Sequence, residues 1–520
     1  MRYFFLLFLL HPFISSAQLH YAGSLDSSFG VNGNSITADI GSDGMLVLSN
    51  DMLLMTGDGI GGGPSLTRFS KNGILDPSFG VNGVDNIKVA IRAPSYAKCI
   101  SLQADGKIII AGAGYDTASS SSHPNGTAAD FLTLRLMPDG SLDTTFNKTG
   151  IVVTDFYYGQ DNITGLAIQP NGKIIASGTV GSSGIGMVRY NTDGSLDSSF
   201  CNCGTGLVIA HIPNTTGIFG NAMVLQADGK IVIGGSADNG GNYQYLLLRY
   251  NTDGTLDTTY GIGGVVRTNL NGDLDEIEAM QLLPDGKILA AGTSSLPSTG
   301  ADFALVRYNT NGSVDSTFGI NGSVTTDIDS AKIDVATSIA LEPDGKIVLA
   351  GRSFGGSVYQ QAIVRYTANG MADTSFGRYG IVHNQVEYEN LVDAVQIQSN
   401  GKIVIAGSLQ NSSGISFALL ARYQSENNTG IPIVALGYIY ISAYPNPTVS
   451  GLFTLSAYGF KEAASIIITD VLGKSVWIGT HDFGVSAKIS INISKYPVGT
   501  YNIDVVTAFG KGKTIQVIKE

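Results

Sequence analysis

The sequence predicts an all-β protein, a seven-bladed β-propeller of four-stranded repeats followed by a small C-terminal β-sandwich. Composition is the first observation, because the 520 residues include 67 Gly and only 14% charged residues. Globular proteins usually contain about 7% Gly and about 25% charged residues. Repetition is the second observation, since three short motifs recur along most of the chain. Both favour short strands joined by tight turns over a helical bundle or a coiled coil.

The N-terminus is typical of a secretory signal. Arg2 supplies the positive charge, Phe4 to Leu10 the apolar run, and Ser15-Ser16-Ala17 the small residues of a cleavage site. The apolar run is far shorter than the ~20 residues of a spanning helix, so we expect export to the periplasm and no integral membrane segment. The predicted segments are a signal peptide (1–17), a seven-repeat propeller (18–423), a linker (424–442) and a C-terminal domain (443–520).

Three motifs divide the propeller region into repeats. The Asp of Leu-Asp-x-Ser/Thr-Phe-Gly and its variants is Asp26, Asp76, Asp143, Asp197, Asp257, Asp315 and Asp373. The Gly of Asp/Asn-Gly-Lys-Ile is Gly106, Gly172, Gly229, Gly286, Gly345 and Gly401, and Asn50 to Leu53 form a degenerate copy. The Arg of an Arg-Tyr motif and its variants is Arg68, Arg135, Arg189, Arg249, Arg307, Arg365 and Arg422. A small residue recurs as Cys99, Gly165, Ala222, Ala279, Ser338 and Ala394, which predicts a packed slot.

Each repeat contains four stretches that favour strands. In the third repeat these are 150–155, 163–169, 173–179 and 186–191, and the Asn-Gly between the second and third predicts a two-residue hairpin turn. No helix-period segment with caps interrupts them. Seven units of four hairpin-connected strands favour a propeller over a β-solenoid, whose coils are usually shorter.

The motif spacing predicts how the ring closes. Each repeat Arg precedes an Asp by eight residues, except that Arg422 has no Asp after it and Asp26 has no Arg before it. A closed ring would bring these two residues together, and Arg and a carboxylate can pair closely there. We therefore expect Leu25 to Gly30 to dock after the last repeat.

Two resemblances extend this interpretation. Segments such as LQADGKIIIAG and LVRYNTNGSVDSTFG resemble the bacterial delta-60 repeat family over roughly residues 24–423. That resemblance implies a propeller and no established activity. The C-terminal segment resembles the type A sorting domain of the type IX secretion system. The residues that carry this second resemblance are Tyr444, Pro445, Asn446, Pro447, Asp470, Gly473, Gly499 and Tyr501.

The second resemblance implies recognition by the outer-membrane export machinery, and a product that is secreted or displayed on the outer cell surface. An immunoglobulin-like adhesion sandwich remains the alternative for this domain.

The sequence shows no catalytic constellation. The His residues are scattered, and neither a His-Glu-x-x-His motif nor a nucleophile elbow is present. Asn191, Asp193 and Asp197 place oxygen atoms at alternate positions and are weak Ca²⁺ candidates, but turn chemistry explains the same residues. Cys201 and Cys203 could bind a metal or form a local disulfide. We expect no other cofactor.

These observations leave three hypotheses for function. The first is a secreted or surface propeller that binds a glycan or a protein, and the others are a polysaccharide hydrolase or lyase and a structural adhesion module. The net charge of −12 argues against a nucleic-acid partner, and we expect a monomer. A ligand site should lie where repeats differ, in the loops after the third strand of each repeat. The candidate residues in or beside those loops are Tyr115, His123, Tyr243, Tyr245, Phe354 and Tyr359.

Overall fold

A computed structural model describes most of the chain. The described residues are 21–38, 41–59, 61–89, 95–115, 129–156, 159–181, 184–210, 212, 215–296, 300–328, 332–354, 356, 358–383, 389–410, 416–426, 440–444, 448–458, 463–471, 474–482, 488–507 and 510–519. The chain divides into two compact units, Met1–Asn428 and Thr429–Glu520. The predicted signal peptide lies outside the described residues. Among the residues that are described, no helix has the length and apolar character needed to cross a membrane.

Short strands make up nearly all regular structure in the first unit. They are β1 Asn34–Ala38, β2 Gly44–Val47, β3 Leu53–Asp58, β4 Pro64–Phe69, β5 Val84–Asn86, β6 Tyr96–Leu102, β7 Ile108–Tyr115, β8 Ala129–Leu136, β9 Ile151–Thr154, β10 Asn162–Ile168, β11 Ile174–Val180, β12 Gly184–Tyr190, β13 Leu207–Ala210, β14 Gly217–Leu225, β15 Ile231–Asp238, β16 Tyr243–Tyr250, β17 Val265–Thr268, β18 Asp275–Leu282, β19 Ile288–Leu296, β20 Gly300–Tyr308, β21 Ser323–Thr326, β22 Lys332–Leu341, β23 Ile347–Phe354, β24 Tyr359–Tyr366, β25 Ile381–His383, β26 Asn390–Ile397, β27 Ile403–Gln410 and β28 Ser416–Tyr423. A 3-10 turn, Phe200–Asn202, lies between β12 and β13.

Within the described residues these strands form seven antiparallel groups of four. Five are separate sheets, β2–β5, β6–β9, β10–β13, β14–β17 and β26–β28 with β1. The other two, β18–β21 and β22–β25, are joined by a short parallel pairing of β20 with β22. The first strands β2, β6, β10, β14, β18, β22 and β26 contact one another in a closed cycle. This arrangement is a ring of sheets around a central axis, which is the propeller architecture.

The sheets are offset by one strand from the predicted repeats. Residues 150–155 were expected to begin the third sheet, but β9 pairs with β8 and is the fourth strand of the second sheet. The connection between them folds back on itself, because Leu142 bridges to Leu136 and the Arg135 N–H donates to the Gly150 carbonyl at 2.9 Å. The strand after each Phe-Gly therefore returns to the sheet that the chain has just left.

Because of this offset, the seventh sheet takes only its first three strands, β26, β27 and β28, from the end of the propeller region. β1 supplies it by pairing antiparallel with β28 over Asn34–Ala38. Leu25 bridges to Tyr423, and Arg422 Nε lies 2.7 Å from Asp26 Oδ2. Residues from both ends of the propeller region thus form one sheet.

The Asn-Gly turn in the third sheet differs from the predicted two-residue form. Only Gly172 has positive φ, at 80°, while the Asn171 side chain accepts a hydrogen bond from the Lys173 N–H at 3.1 Å. The Gln169 N–H donates to Lys173 O, and the Gly172 N–H donates to Gln169 O, both at 2.8 Å. The loop is therefore a three-residue turn in which only Gly needs the left-handed conformation.

An ion pair recurs in every sheet. The Arg on each third strand pairs through Nε with the Asp eight residues later, and Arg422 pairs with Asp26. The N–O distances lie between 2.6 and 2.9 Å. The guanidinium also stacks on the aromatic ring of the Leu-Asp-x-Ser/Thr-Phe motif, 4.2–4.7 Å from its centre. In five sheets the Lys of the hairpin turn reaches the same Asp.

The same guanidinium joins each sheet to the next. Its Nη1 donates to a carbonyl beside the Arg-Tyr turn of the following sheet, for example from Arg189 to Thr252 at 2.6 Å. The last of these bonds runs from Arg422 to Lys71 at 2.7 Å and so connects the seventh sheet to the first. The aromatic ring packs on the next sheet too, since a Cβ on Gly194 would lie 2.9 Å from Phe146. Gly at that turn makes room for the neighbouring ring.

Hydrophobic cores lie between adjacent sheets. Ile109 and Phe131 of the second sheet, for example, pack with Ile163 and Ile174 of the third, and all four are fully buried. Burial of such side chains stabilises a fold by roughly 1.5–3 kcal/mol each. Each sheet thus covers the apolar face of its neighbour.

The second unit is a two-sheet β structure. Its strands are β29 Tyr440–Tyr444, β30 Leu452–Tyr458, β31 Ala463–Asp470, β32 Ser475–Asp482, β33 Lys488–Asn492, β34 Gly499–Thr507 and β35 Gly510–Lys519. One sheet has the order β29-β30-β33 and the other β32-β31-β34-β35. Phe453 and Ile491 of the first pack with Ile466 and Ile503 of the second. The unit is therefore a small sandwich.

Asp26→Asn should weaken ring closure. Arg422 and Lys402 would lose their shared counter-charge, and breaking a buried pair costs about 3 kcal/mol. Burial raises the pKa of Asp26, but hydrogen bonds from Lys402 and Ser28 and the charge of Arg422 lower it to about 2. Its stabilising effect is therefore present above about pH 4 and is lost as pH falls towards 2.

Thermal melts between pH 2 and 7 test this prediction. The Tm of Asp26→Asn should lie below wild type at pH 7, and the difference should shrink in acid. Asp285→Asn is the control, because Asn171 and Asn400 occupy the same turn position in other repeats. Equal melting of wild type and Asp26→Asn at pH 7 would contradict the closure role.

Candidate functional site

Successive strands of each sheet run in opposite directions, so the connections between them lie alternately on two opposite faces of the ring. We call uniform the face that carries the Asp/Asn-Gly-Lys turns and the connections from Arg-Tyr to Phe-Gly. We call variable the opposite face, which carries the loops from second to third strands and the connections from each fourth strand to the next sheet. The names follow the sequence, since the motifs recur on the first face and are absent from the second. A site for one ligand is expected on the variable face.

Aromatic pairs lie on the variable face of two sheets. Tyr243 is half-buried, 6.3 Å from Phe219 between ring centres. Tyr359, which begins β24 as Tyr243 begins β16, lies 5.2 Å from Phe354. The Arg352 guanidinium stacks on the Tyr359 ring at 5.2 Å. Three of the residues proposed from the sequence therefore belong to partly exposed aromatic contacts.

Tyr245 does not belong to this surface. Its side chain is 0% exposed and packs in the core between the fourth and fifth sheets. It points to the same side of β16 as Tyr243 but lies two residues further into the sheet, where the next sheet covers it. Tyr115 ends β7, and its backbone pairs with Ala129. His123 lies outside the described residues.

A ring of polar residues occupies one position on the first strands. Six first strands contain a β-bulge, and the bulged residues are Lys98, Thr164, Asn221, Glu278, Thr337 and Asp393. Asp43 holds the same place before β2, where its N–H donates to Thr56 O at 2.8 Å. We call these seven residues the channel ring. Each is partly or fully exposed although the residue before it is buried.

The uncharged members of the channel ring bond to the next sheet. Thr164 Oγ1 donates to Gly220 O at 2.6 Å, and Asn221 Nδ2 donates to Ile277 O at 3.0 Å. Thr337 donates to Val392 O in the same way. Each acceptor directly precedes the next bulge. The bulged residues thus follow one another around the axis.

Carboxyl groups in the channel ring are electrostatically strained. Burial raises the pKa of Asp43 to about 7, and the charges of Asp393 and Asp58 add to the effect. Burial likewise raises the pKa of Glu278 to about 7, with a further contribution from Glu276. The pKa of Asp393 rises to about 7 through burial alone. Desolvation disfavours the charged form of each carboxyl.

Two cations share this space. Lys98 interacts electrostatically with Asp43, Glu278 and Asp393, which come from three different sheets. Arg352 interacts with Glu278 and Asp393. Within the described parts of the chain none of these five side chains forms an ion pair, and the buried Nε of Arg352 makes no hydrogen bond. The uniform face differs, because its Arg and Asp side chains pair at 2.6–2.9 Å.

Three acidic groups bring carboxyl oxygens within 4.8 Å of one another in the described residues. They are Asp130, Asp155 and Asp161; Asp302, Asp327 and Asp334; and Glu342, Asp344 and Glu426. In the first two, one member holds a connecting loop. Asp161 accepts the Phe156 N–H at 3.0 Å, and Asp334 accepts the Ile328 N–H at 2.8 Å. These carboxylates thus have a structural part in the variable-face connections.

The Ca²⁺ candidates lie in a turn of the uniform face. Asp193 Oδ1 accepts hydrogen bonds from the Ser195 N–H and hydroxyl, and Asn191 donates to the Ser195 hydroxyl. Asp197 accepts Arg189, Lys173 and Ser199. Protein donors therefore occupy these carboxylates, as turn chemistry predicts.

Cys201 and Cys203 form a disulfide within one loop of the uniform face, with Cα atoms 5.2 Å apart. Cys201 has φ 66°, at a position that five other repeats fill with Gly and one with Asn147. Cys99 lies in the small-residue slot, and burial raises the pKa of its thiol to about 12. A buried protonated thiol is chemically inert.

The sorting-motif residues are partly described. Asp470 ends β31 and accepts the Lys474 N–H at 2.9 Å. Gly499 begins β34, and the buried Tyr501 donates its hydroxyl proton to Pro497 O. Tyr444 ends β29. Pro445, Asn446, Pro447 and Gly473 lie outside the described residues.

Comparison with protein families identifies both parts of the chain. Residues 103–146, 169–200, 226–260, 283–318, 342–376 and 398–426 match the family described as a domain of unknown function (DUF5122) beta-propeller. Residues 442–520 match the secretion system C-terminal sorting domain. Both predicted resemblances are confirmed, and with them the all-β propeller fold and export to the cell surface or beyond. Comparison with curated proteins found no match.

Several solved structures are similar in outline. A protein of unknown function from Dyadobacter fermentans is 9% identical, with a TM-score of 0.36 over 62% of this chain and 93% of its own. The polysaccharide lyase Uly1 is 12% identical, with a TM-score of 0.38 over 78% and 97%. The GH43 endo-arabinanase from Bacillus licheniformis is 16% identical, with a TM-score of 0.29 over 51% and 94%. Likenesses at this level assign no activity to the chain.

Neutralising a channel-ring carboxyl should stabilise the protein at neutral pH. A carboxyl with a pKa of about 7 in the folded state and about 4 when unfolded costs stability as pH rises between those values. Glu278→Gln and Asp393→Asn remove that cost. Their Tm should exceed wild type at pH 8 and converge with it near pH 4.

Thermal melts of Glu278→Gln and Asp393→Asn between pH 4 and pH 8 test this prediction. Asp285→Asn, a carboxyl-to-amide change on the uniform face, should show no such pH-dependent gain. If both channel variants melt at or below the wild-type temperature at pH 8, the carboxyl groups are not strained as described.

Proposed function

The chain belongs to the delta-60-like β-propeller repeat proteins and carries a type IX secretion sorting domain, and on that premise we propose that it binds an extracellular ligand through its variable face. The sorting domain directs export to the cell surface or secretion. The propeller is therefore the part of the chain to which we assign ligand binding outside the cell.

One contrast carries the proposal. On the uniform face, the charged motif residues are used to hold the ring together, as the Arg189–Asp197 pair at 2.6 Å illustrates. Towards the variable face, Lys98, Glu278 and Arg352 make no ion pair among the described residues. Charged groups that a fold does not use are available for a ligand. The differences between repeats are concentrated there as well.

The aromatic pairs support the same surface. Tyr243 with Phe219 and Tyr359 with Phe354 offer partly exposed rings on a rigid framework of strands. Aromatic side chains supply large contact areas for sugars and proteins alike at low conformational cost. Binding at this surface therefore requires no conformational change of the sheets.

Tyrosine substitutions on the variable face should reduce binding. A glycan array and capture from culture medium would first identify a ligand of the mature protein, with a polysaccharide-degradation screen run in parallel. Tyr243→Asn combined with Tyr359→Asn should weaken that ligand at least about tenfold, as hot-spot aromatics do.

The control is Tyr379→Asn on the uniform face. Tyr379 is 53% exposed, and Asn32, Asn82 and Asn321 fill the same position in other repeats. Binding that survives the double variant, or that Tyr379→Asn abolishes, would place the ligand elsewhere. Polysaccharide turnover in the parallel screen would replace the binding role with an enzymatic one.

Truncation after Gly430 should separate folding from export. The propeller belongs to one compact unit and the sorting domain to the other. We expect the truncated chain to melt cooperatively and to accumulate in the periplasm, as fractionation of the producing cells would show. Normal appearance of the truncated chain outside the cell would contradict the sorting role.

A further inference from the structure

Three carboxyl groups meet where the chain passes from the fifth sheet to the sixth. Asp302 lies near the start of β20, Asp327 directly follows β21, and Asp334 lies near the start of β22. One oxygen from each carboxyl lies within 4.8 Å of the other two. Asp302 and Asp334 are only 2% and 1% exposed, whereas Asp327 is partly exposed. The group is therefore mostly buried and reaches solvent at Asp327.

The strands fix the positions of these carboxyl groups. β22 begins beside β20 in a short parallel pairing, and Asp302 and Asp334 are the next residues of the two strands. β21 pairs antiparallel with β20, which places Asp327, directly after β21, opposite Asp302. Asp334 also holds the connection, because its Oδ2 accepts the Ile328 N–H at 2.8 Å. Two sheets and the connection between them thus each contribute one carboxyl group.

The preceding junction shows that the fold does not need three carboxyl groups here. The same positions are counted from the Arg-Tyr motif, the end of the fourth strand and the bulge of the next first strand. Between the fourth and fifth sheets they are Gln244, Asn269 and Asp275. The two oxygens of Asp275 accept the Ser294 hydroxyl at 2.6 Å and the Leu270 N–H at 2.7 Å. One carboxyl with two donors therefore satisfies that junction.

The sixth sheet repeats the serine but not its hydrogen bond. Ser353 pairs with Asp334 as Ser294 pairs with Asp275. Directly paired side chains lie on the same face of a sheet, with Cβ atoms about 4.5–5.5 Å apart, so the Ser353 hydroxyl lies on the side of the carboxyl group. Ser353 is 0% exposed, yet its Oγ and the buried Oδ1 of Asp327 make no hydrogen bond among the described residues. Buried polar atoms normally have a partner, so these two exceptions at one junction indicate a ligand.

We propose that this junction binds a Ca²⁺ ion through the carboxylates of Asp302, Asp327 and Asp334. Ca²⁺ binds oxygen at about 2.3–2.6 Å, so two oxygens on one ion can lie up to about 5 Å apart. The three carboxyl groups meet that limit, since one oxygen of each lies within 4.8 Å of the others. Ca²⁺ takes about six to eight oxygens, and the Ser353 hydroxyl, backbone carbonyls and water would supply the rest. This inference goes beyond the proposed ligand binding and does not rest on it.

A similar group at the junction of the second and third sheets differs in its hydrogen bonds. Its members are Asp130, Asp155 and Asp161. Both oxygens of Asp161 accept backbone N–H groups, from Gly181 and Phe156, each at 3.0 Å. Val180 occupies the place of Ser353, eight residues after the Gly of the Asp/Asn-Gly-Lys turn. Backbone donors hold this group, so we assign the ion to the other junction alone.

Calcium titration of the full secreted protein tests the site. The protein is first freed of divalent ions with a chelator and then titrated calorimetrically. Extracellular calcium sites have dissociation constants of about 10⁻⁴–10⁻³ M, and we expect a value in that range. The Tm should rise by about 2 °C or more at about 10 mM Ca²⁺. Mg²⁺, which requires shorter and more regular contacts, should bind at least about tenfold more weakly.

The test variant combines Asp302→Gln with Asp327→Asn. It reproduces Gln244 and Asn269 of the preceding junction, so the repeat accommodates both side chains, and Asp334 keeps its bond to the connection. This variant should bind Ca²⁺ at least about tenfold more weakly and lose the Tm rise, because only one of the three carboxylates remains. Its Tm without the ion shows whether it folds. Asp327→Asn alone, a change at a partly exposed residue, should weaken Ca²⁺ in the same direction.

Two further variants locate the ion. Asp193→Asn removes a carboxylate from the uniform-face turn, where Asn311 stands in another repeat, and Asp130→Gln changes the junction of the second and third sheets. Both should bind Ca²⁺ as the wild type does. Absence of Ca²⁺ binding at millimolar concentration, equally tight binding of Mg²⁺, unchanged binding by the double variant, or loss of binding in either control would each overturn the proposal.

Discussion

One guanidinium group per sheet maintains the ring. Its Nε pairs with the Asp that follows on the same connection, its Nη1 reaches the next sheet, and its flat face covers an aromatic ring, as Arg307 does with Asp315, Ala368 and Phe318. Only Arg combines a fixed fork of donors with a planar surface that stacks. Because each group contributes to two sheets at once, loss of one weakens an interface as well as a turn. Arg422 makes the same contacts where the ring closes, since it pairs with Asp26 and donates to Lys71 O of the first sheet.

That requirement explains why the two faces differ. The Arg, Asp, Gly and aromatic residues of the uniform face are fixed by contacts between neighbouring sheets. A Cβ at Gly312, for instance, would lie 2.9 Å from Tyr260. The second-to-third strand loops contain none of these motif residues, and their sequences differ from repeat to repeat. Function can therefore change on the variable face without altering what closes the ring.

The closed ring could be predicted from the sequence because the repeated motifs show which residues pair, even where the two partners are far apart along the chain. The shared eight-residue spacing predicted that Arg422 pairs with Asp26, although nearly the whole propeller lies between them in the sequence. The one-strand offset was missed, since strand-like stretches do not reveal which neighbour they join, and the Leu136–Leu142 bridge that decides it is a backbone contact. The channel ring was missed because a bulge breaks the period of two. A signal was present: the residue before each small slot, such as Lys98 before Cys99, is polar in every repeat.

The channel ring also shows which residues the fold does not explain. Its position needs only a donor that reaches the next first strand, and Thr164, Thr337 and Asn221 provide one. An ionised carboxylate at this position cannot make that bond. Burial raises the pKa of Glu278 and Asp393 to about 7, so their ionised forms cost stability at neutral pH. A costly residue beside neutral alternatives that fit the same position is characteristic of a site kept for binding rather than for folding. In this propeller, repetition thus marks the residues that the fold requires, and the carboxyls of the channel ring are residues that it does not require.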